Sequence, residues 1–210
     1  MMVSVRSSGR RRRWAASALI ALAGLPAAAC GGGEEPPSAE SQAIVDRVQA
    51  SYADVPAVVV ETTGHLEDGT PVRGRQVLLL EDGVVGAGSS VIEGPSGGGA
   101  DIVWDALGTT HFRVRGATCW TADSPYGAAG NEIFAPELEP GSRPRRERGR
   151  IVLVGTEPGG GPLWEWEIDA ATDRLVSQRL AGPTEPLAAE SARIRVPRRV
   201  PAIPVPTPVC

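Results

Sequence analysis

The chain contains no lysine; all 21 of its basic residues are arginine. That choice, beside abundant Ala, Gly, Pro and Val, matches the codon bias of a very GC-rich genome and is not a mark of phosphate recognition. Aromatic residues make up only 4% of the sequence, and there are two histidines. His65 and His111 sit beside polar strand positions without ligand spacing, so surface imidazoles are expected rather than a metal site or a general base. There is no CxxC, no Cys/His metal spacing, and no Walker or dinucleotide fingerprint. Gly94-Pro95-Ser96-Gly97-Gly98 matches G-x-S-x-G, but the hydrolase elbow needs a helix directly after the serine. Here a glycine-rich stretch and then a strand follow, which reads as a flexible loop. Glu165 and Glu167 alternate onto one strand face toward solvent, whereas a glycosidase pair comes from different elements framing a cleft. A non-catalytic protein without metal or cofactor is expected.

Strong positive charge is missing as well. The formal net charge is −4, and five of the arginines (Arg6 and Arg10 to Arg13) lie in a leader that carries no acid. From Cys30 onward, 16 arginines therefore face 25 acids, a formal charge of −9. Such a body has no electrostatic footprint for nucleic acid. Anionic lipid headgroups repel it unless it is anchored, and its acidity reads as solubility.

What is present begins with the leader. Arg10 to Arg13 form a cationic segment and Trp14 to Leu25 a short apolar one, too short for an ordinary membrane span but suited to a signal peptide. Ala27-Ala28-Ala29-Cys30 follows. Two small residues before a cysteine resemble a bacterial lipobox, although Ala27 stands where that pattern usually has Leu. Ordinary cleavage after Ala29, with a free Cys30, is the alternative. Arg11-Arg12-Arg13-Trp14 also resembles a twin-arginine export signal. Residues 1–29 are thus expected to be a signal peptide, and 30–37 a lipidated (palmitate-type) Cys30 with a flexible tether. No later stretch is apolar enough to span a bilayer, so the lipid alone would hold the protein at the extracytoplasmic face of the cell membrane. With Cys30 consumed, Cys119 and Cys210 remain as an even pair in an oxidising compartment. A disulfide there closes a loop of about 90 residues, worth roughly 4 kcal/mol; two free thiols are the alternative.

Residues 38–196 read as one globular domain. Ser38 is the expected N-cap of a helix whose apolar face holds Ile44, Val45, Val48, Tyr52 and Val55, running four to five turns until Pro56 ends it. Strands are expected over Ala57 to Thr63, Val72 to Leu80, Val84 to Ile92, Asp101 to Trp104, His111 to Arg115 and Thr118 to Thr121. Turns at Glu67-Asp68-Gly69 and Asp82-Gly83 join the first three. Gly86 and Gly88 suggest a bulge, a bend or a close approach. Ala122 to Gly149 reads as a long crossover or flap, with one helical turn near Ile133-Phe134. Further strands cover Ile151 to Val154, Leu163 to Ile168, Leu175 to Leu180 and Ser191 to Val196. Residues 197–210, with Pro at 197, 201, 204, 206 and 208, form an extended surface strap that Cys210 pins to Cys119. Nine or ten strands and one helix give an α+β, mostly β fold. Its most economical form is a large curved antiparallel sheet, a half-barrel, wrapped around the N-terminal amphipathic helix.

Two groups of residues carry alternative readings. Arg143, Arg145, Arg146 and Arg148 make a basic patch, either a solvated loop or a docking site for an acidic partner. Trp104, Trp120, Trp164 and Trp166 either fill the core or line an apolar site for an acyl chain.

The Trp164-x-Trp166-x-Ile168-Asp169-x-x-Thr172 hairpin resembles the LolA-like group, the outer-membrane lipoprotein carriers and the related lipid-binding lipoproteins of mycobacteria. Thr110-His111-Phe112-Arg113-Val114 leading to Trp120 is a second echo. The resemblance implies an incomplete barrel enclosing helices, with an apolar cavity for acyl chains. The expected function is therefore a monomeric, membrane-anchored envelope lipoprotein that binds or carries a lipid or lipidated molecule. The alternative is a module that binds or senses another envelope protein and has no lipid ligand.

Overall fold

A computed structural model describes residues 36–65, 68–94, 97–122, 136–157, 162–181 and 190–210. Cys30, Ser96 and the Ile133-Phe134 turn lie outside these residues. The helix α1 (Ala39–Ala50) starts where the sequence places it. Ser38 accepts a hydrogen bond from the Ser41 N–H at 3.1 Å, and Glu40 lies in the first turn at the positive end of the helix dipole. The helix stops at Ala50 rather than continuing to Pro56. The Ser51 hydroxyl donates to the Val48 carbonyl at 2.7 Å and the Asp173 carbonyl at 3.1 Å, offering the last turn a partner other than the next backbone N–H. Tyr52 and Val55 still reach the core through the following turn. Burial pushes the Tyr52 phenol up to about 12.

Strands follow in two runs. The first comprises β1 (Ala57–His65), β2 (Pro71–Glu81), β3 (Val84–Glu93), β4 (Gly99–Trp104), β5 (Thr110–Val114) and β6 (Thr121–Ala122). The second comprises β7 (Glu137–Leu138), β8 (Arg145–Glu147), β9 (Arg150–Thr156), β10 (Trp164–Asp169), β11 (Arg174–Leu180) and β12 (Ser191–Arg195). All join one antiparallel 12-stranded sheet in the order β6-β5-β4-β3-β2-β1-β12-β11-β10-β9-β7, with β8 also on β9. The first run is a meander, as is the second from β8 to β12, with β7 also paired to β9; β12 returns to β1 to fuse them. Among the described residues the sheet is not closed into a barrel.

Local chemistry accounts for the turns. Asp82 and Gly83 have φ of 51° and 80°, as a two-residue hairpin requires. Gly86 is the bulge residue where the β2–β3 register shifts, and Gly88 lies directly beneath the Trp104 indole, where a Cβ would collide. Arg148 and Gly149 repeat the paired positive φ, at 44° and 80°. That turn makes Arg145–Glu147 a strand paired with β9, where the sequence reads as solvated loop or flap. At the β10–β11 turn, Asp169 accepts hydrogen bonds from the Thr172 hydroxyl and the Ala171 and Thr172 N–H groups. The Thr172 hydroxyl first, then the Ala171 N–H, hold the Asp169 carboxyl below the usual carboxylate range.

One sheet face packs with the helix. Ile44, Val45, Val48 and Tyr52 share a buried cluster with Val58, Leu78 and Ile102, and with Trp104, Trp164 and Trp166. The Ser41 hydroxyl and the Ser38 N–H both donate to the Ser142 carbonyl, at 3.0 and 3.2 Å, tying the start of α1 to the segment before β8.

Candidate functional site

The opposite sheet face, called outer below, divides into two regions. In the first, Val59, Val77, Ser89 and Val103 lie side by side in register across β1 to β4, followed by His111 on β5. The four are buried, Val59 at 0% exposure, although they point away from the helix. The Pro-rich strap leaves β12 beside Val59 and ends at Trp120, just before β6, so it crosses the strands that carry this row. Pro197, Pro201, Ile203 and Pro206 are half-buried along it. Its end is fixed by the Cys119–Cys210 disulfide, whose Cα atoms stand 5.3 Å apart. The Trp120 N–H donates to the Pro208 carbonyl at 2.9 Å, and the Cys210 N–H to the Trp120 carbonyl at 2.7 Å. Trp120 thus separates from the other tryptophans: it is buried at the latch, with the Arg113 guanidinium 4.5 Å from its ring centroid and Asp101 2.7 Å from that guanidinium.

The second region is a cleft of about 720 Å³ over β1, β12, β11, β10 and β9 and the β8–β9 turn. Its walls carry the carboxylates of Glu61, Glu147, Glu165 and Glu167 and the guanidinium groups of Arg148, Arg150, Arg179 and Arg193. Thr63, Ser177 and Ser191 supply neutral polar groups, whereas Gln178 stands in register with Trp166 and Ala192 of the core. None of Trp104, Trp120, Trp164 and Trp166 is a wall of it. Register explains the alternation of charge, since Glu61 stands opposite Arg75 on one side and Arg193 on the other, and Glu167 opposite Ser177.

Most of these charges are already matched. Glu165, with a side chain 18% exposed, is held by Arg145 at 2.6 Å and Arg179 at 2.5 Å. Burial raises its carboxyl, but hydrogen bonds from Arg179 and Arg145 and the charge of both outweigh that and leave its pKa below the usual range. Glu167 accepts from the Ser177 hydroxyl at 2.6 Å and pairs with Arg150 at 3.4 Å, while Arg150 also binds Asp169 at 2.7 Å. Glu61 meets Arg195 at 3.4 Å, and the hydroxyls of Thr63 and Ser191 share a hydrogen bond of 2.8 Å.

The arginine patch is therefore dispersed. Arg145 serves Glu165, Arg146 pairs with Glu40 of the helix at 2.7 Å, Arg143 is exposed but not free, and Arg148 lines the cleft. His65 pairs with Glu190 at 2.9 Å on the surface. Gly97 belongs to a 3-10 turn and β4 begins two residues later at Gly99, so a strand and not an α-helix follows the G-x-S-x-G stretch. Among the described residues, no group of His, Cys, Asp or Glu can hold a metal ion, and no helix is long and apolar enough to cross a membrane. Sequence reasoning missed Glu61, Ser177, Arg179 and Arg193. The alternation of Glu165 and Glu167 with the tryptophans was the one available signal for this face. The chain matches no protein-family model and no curated protein.

Proposed function

We propose that this is an exported, lipid-anchored binding module that recognises a polar ligand or envelope partner through the outer cleft, without catalysis. In this reading residues 1–29 are removed, Cys30 is acylated, and 31–37 tether the domain to the extracytoplasmic face. The sheet curves around α1 as a half-barrel and presents the cleft outward. The observation that carries it is the lining: four carboxylates, four guanidinium groups and no aromatic wall. Such a surface suits a hydrated, hydrogen-bonding partner and not an acyl chain. The Cys119–Cys210 disulfide supports an oxidising compartment and leaves Cys30 as the odd thiol, available for lipid.

A second reading, acyl-chain carriage between α1 and the sheet, is favoured by a different observation. The indole N–H groups of Trp104 and Trp164 are buried on that side and have no hydrogen-bond partner. A buried donor left unmatched costs about 1–3 kcal/mol, which a bound ligand offering an acceptor would recover.

One experiment separates the two. Full-length Cys30→Ser protein, purified from its own envelope, is weighed by native mass spectrometry beside the same chain carrying Ser177→Trp, which fills the cleft floor. A stoichiometric polar adduct that Ser177→Trp removes is the expected result. An acyl adduct that survives Ser177→Trp gives the second reading instead.

A further inference from the structure

From Cys30 onward acids outnumber arginines by 25 to 16, so incomplete ion pairing should leave carboxylates over. In the cleft arginine is the group left in excess, two guanidinium groups against the one carboxylate of Glu147. Glu61, Glu165 and Glu167 each have a cationic partner, and Arg150 and Arg179 are each engaged by a carboxylate. Glu147 stands opposite Arg150 in register across the β8–β9 hairpin, as Arg193 stands opposite Glu61 across β1 and β12, but neither register pair is an ion pair. Arg148 and Arg193 are the guanidinium groups of the walls without a carboxylate among the described residues.

Their placement is complementary. Arg193 rises from β12 at one side of the cleft; Arg148 occupies the tight β8–β9 turn at the other. Three strand spacings separate β12 from β9, about 14 Å, a span comparable to the combined reach of two extended arginine side chains. Between them lies Ser177, with the Thr63–Ser191 hydroxyl pair alongside. Guanidinium groups bind carboxylate and phosphate oxygens through paired N–H donors, and a recess on a sheet face screens such contacts less than open water does.

We infer that the cleft holds a small polar molecule by an oxyanionic group, carboxylate or phosphate, gripped by Arg148 and Arg193. This rests on the cleft being the recognition site. The matched pairs beneath serve as a rigid polar floor, and the two unmatched arginines supply the attraction. The size of the cleft fits a small molecule, and its walls select a hydrated one.

The test uses full-length Cys30→Ser protein titrated with inorganic phosphate and, separately, with glutarate, followed by calorimetry at constant ionic strength. Saturable one-to-one binding of at least one anion is expected. Arg148→Asn, which suits the positive φ of its turn, and Arg193→Ala should each weaken it at least tenfold. Arg199→Ala, an exposed strap arginine away from the cleft, should leave it unchanged. Saturation by glutarate alone identifies a carboxylate ligand, by phosphate alone a phosphorylated one, and by both a general oxyanion site. If neither anion saturates, or if Arg199→Ala weakens binding as much as Arg148→Asn, the inference is overturned. An adduct still removed by Ser177→Trp in that case would leave the cleft reading standing without it.

Discussion

Val59 and Glu61 are two positions apart on one face of one strand, yet they live in different media. Val59 begins a row of apolar side chains closed off under the strap; Glu61 begins a row of charges open to the cleft. Both rows run along the same antiparallel ladder, so strand geometry is not the cause. The difference is coverage. Where a tethered Pro-rich segment crosses the outer face, Val, Ser and Val are buried in register; beyond it, Arg and Glu alternate. An antiparallel sheet with one covered face normally alternates apolar and polar side chains. Here the second face is covered over part of its extent, which makes β1 apolar on both sides at Ala57 to Val59 and amphipathic after that.

The sharpest way to break this comparison is to exchange the two media. Val77→Asp, in the same row as Val59, places a carboxylate at a site 2% exposed, with Val59 and Ser89 opposite it and no cation in register on either side. An uncompensated buried charge costs about 3–5 kcal/mol, a large part of the 5–15 kcal/mol typical of a domain. Urea unfolding should show that loss, whereas Glu61→Val should stay within about 0.5 kcal/mol of the parent. Equal effects at the two positions would mean that the strap does not seal the row.

The next largest effect comes from the latch. Replacing Cys119 and Cys210 together by Ala removes a cross-link spanning 91 residues, with an expected loss of about 2–4 kcal/mol. Trp120, buried between the strap end and Arg113, should also become accessible to acrylamide quenching. The cleft should be unaffected, so anion titration of the double variant should match the parent. A stability loss without any change in quenching would indicate that the strap holds its place without the disulfide.

These two regions also differ in how far they could be read from the sequence. Cys119, Cys210 and the prolines of the strap define a tethered surface segment by themselves, because proline cannot join a ladder and an even pair of cysteines can close a cross-link, as these two do. The Ser38 cap, the Asp82-Gly83 hairpin and the Trp164-Trp166-Ile168 face are equally local, and each is found in place. The end of α1 was not legible, since Ser51 acts through Asp173, far away in sequence. Nor was β8: its Arg-Arg-Glu run has no apolar face, and only pairing with β9 makes it a strand. The cleft was the least legible part. Glu61, Arg193 and Ser177 become neighbours because β12 returns to β1, a long-range closure that no local pattern encodes. Of the arginine patch, only Arg148 proved to line the cleft, and the solvent face expected for Glu165 is instead largely enclosed by Arg145 and Arg179.

That enclosure yields the smallest prediction, a pH effect confined to the charged region. The folded-state pKa of Glu165 lies below its ordinary value, because Arg179 and Arg145 outweigh the cost of its burial. A depressed carboxyl stabilises the fold fully above the unfolded-state pKa, about 4.3 for glutamate, and the contribution disappears as pH falls through the lower folded-state value. Stability should therefore decline below roughly pH 4.3, and Glu165→Gln should flatten part of that decline while costing about 1 kcal/mol at neutral pH. The strap-covered row holds no carboxylate, so its variants should shift the whole curve downward and leave the shape of its acid limb unchanged. Chemical unfolding between about pH 3 and 7, a range bracketing the carboxylate transition, distinguishes the two. A Glu165→Gln curve parallel to that of the parent would show that the two arginines do not govern the acid limb.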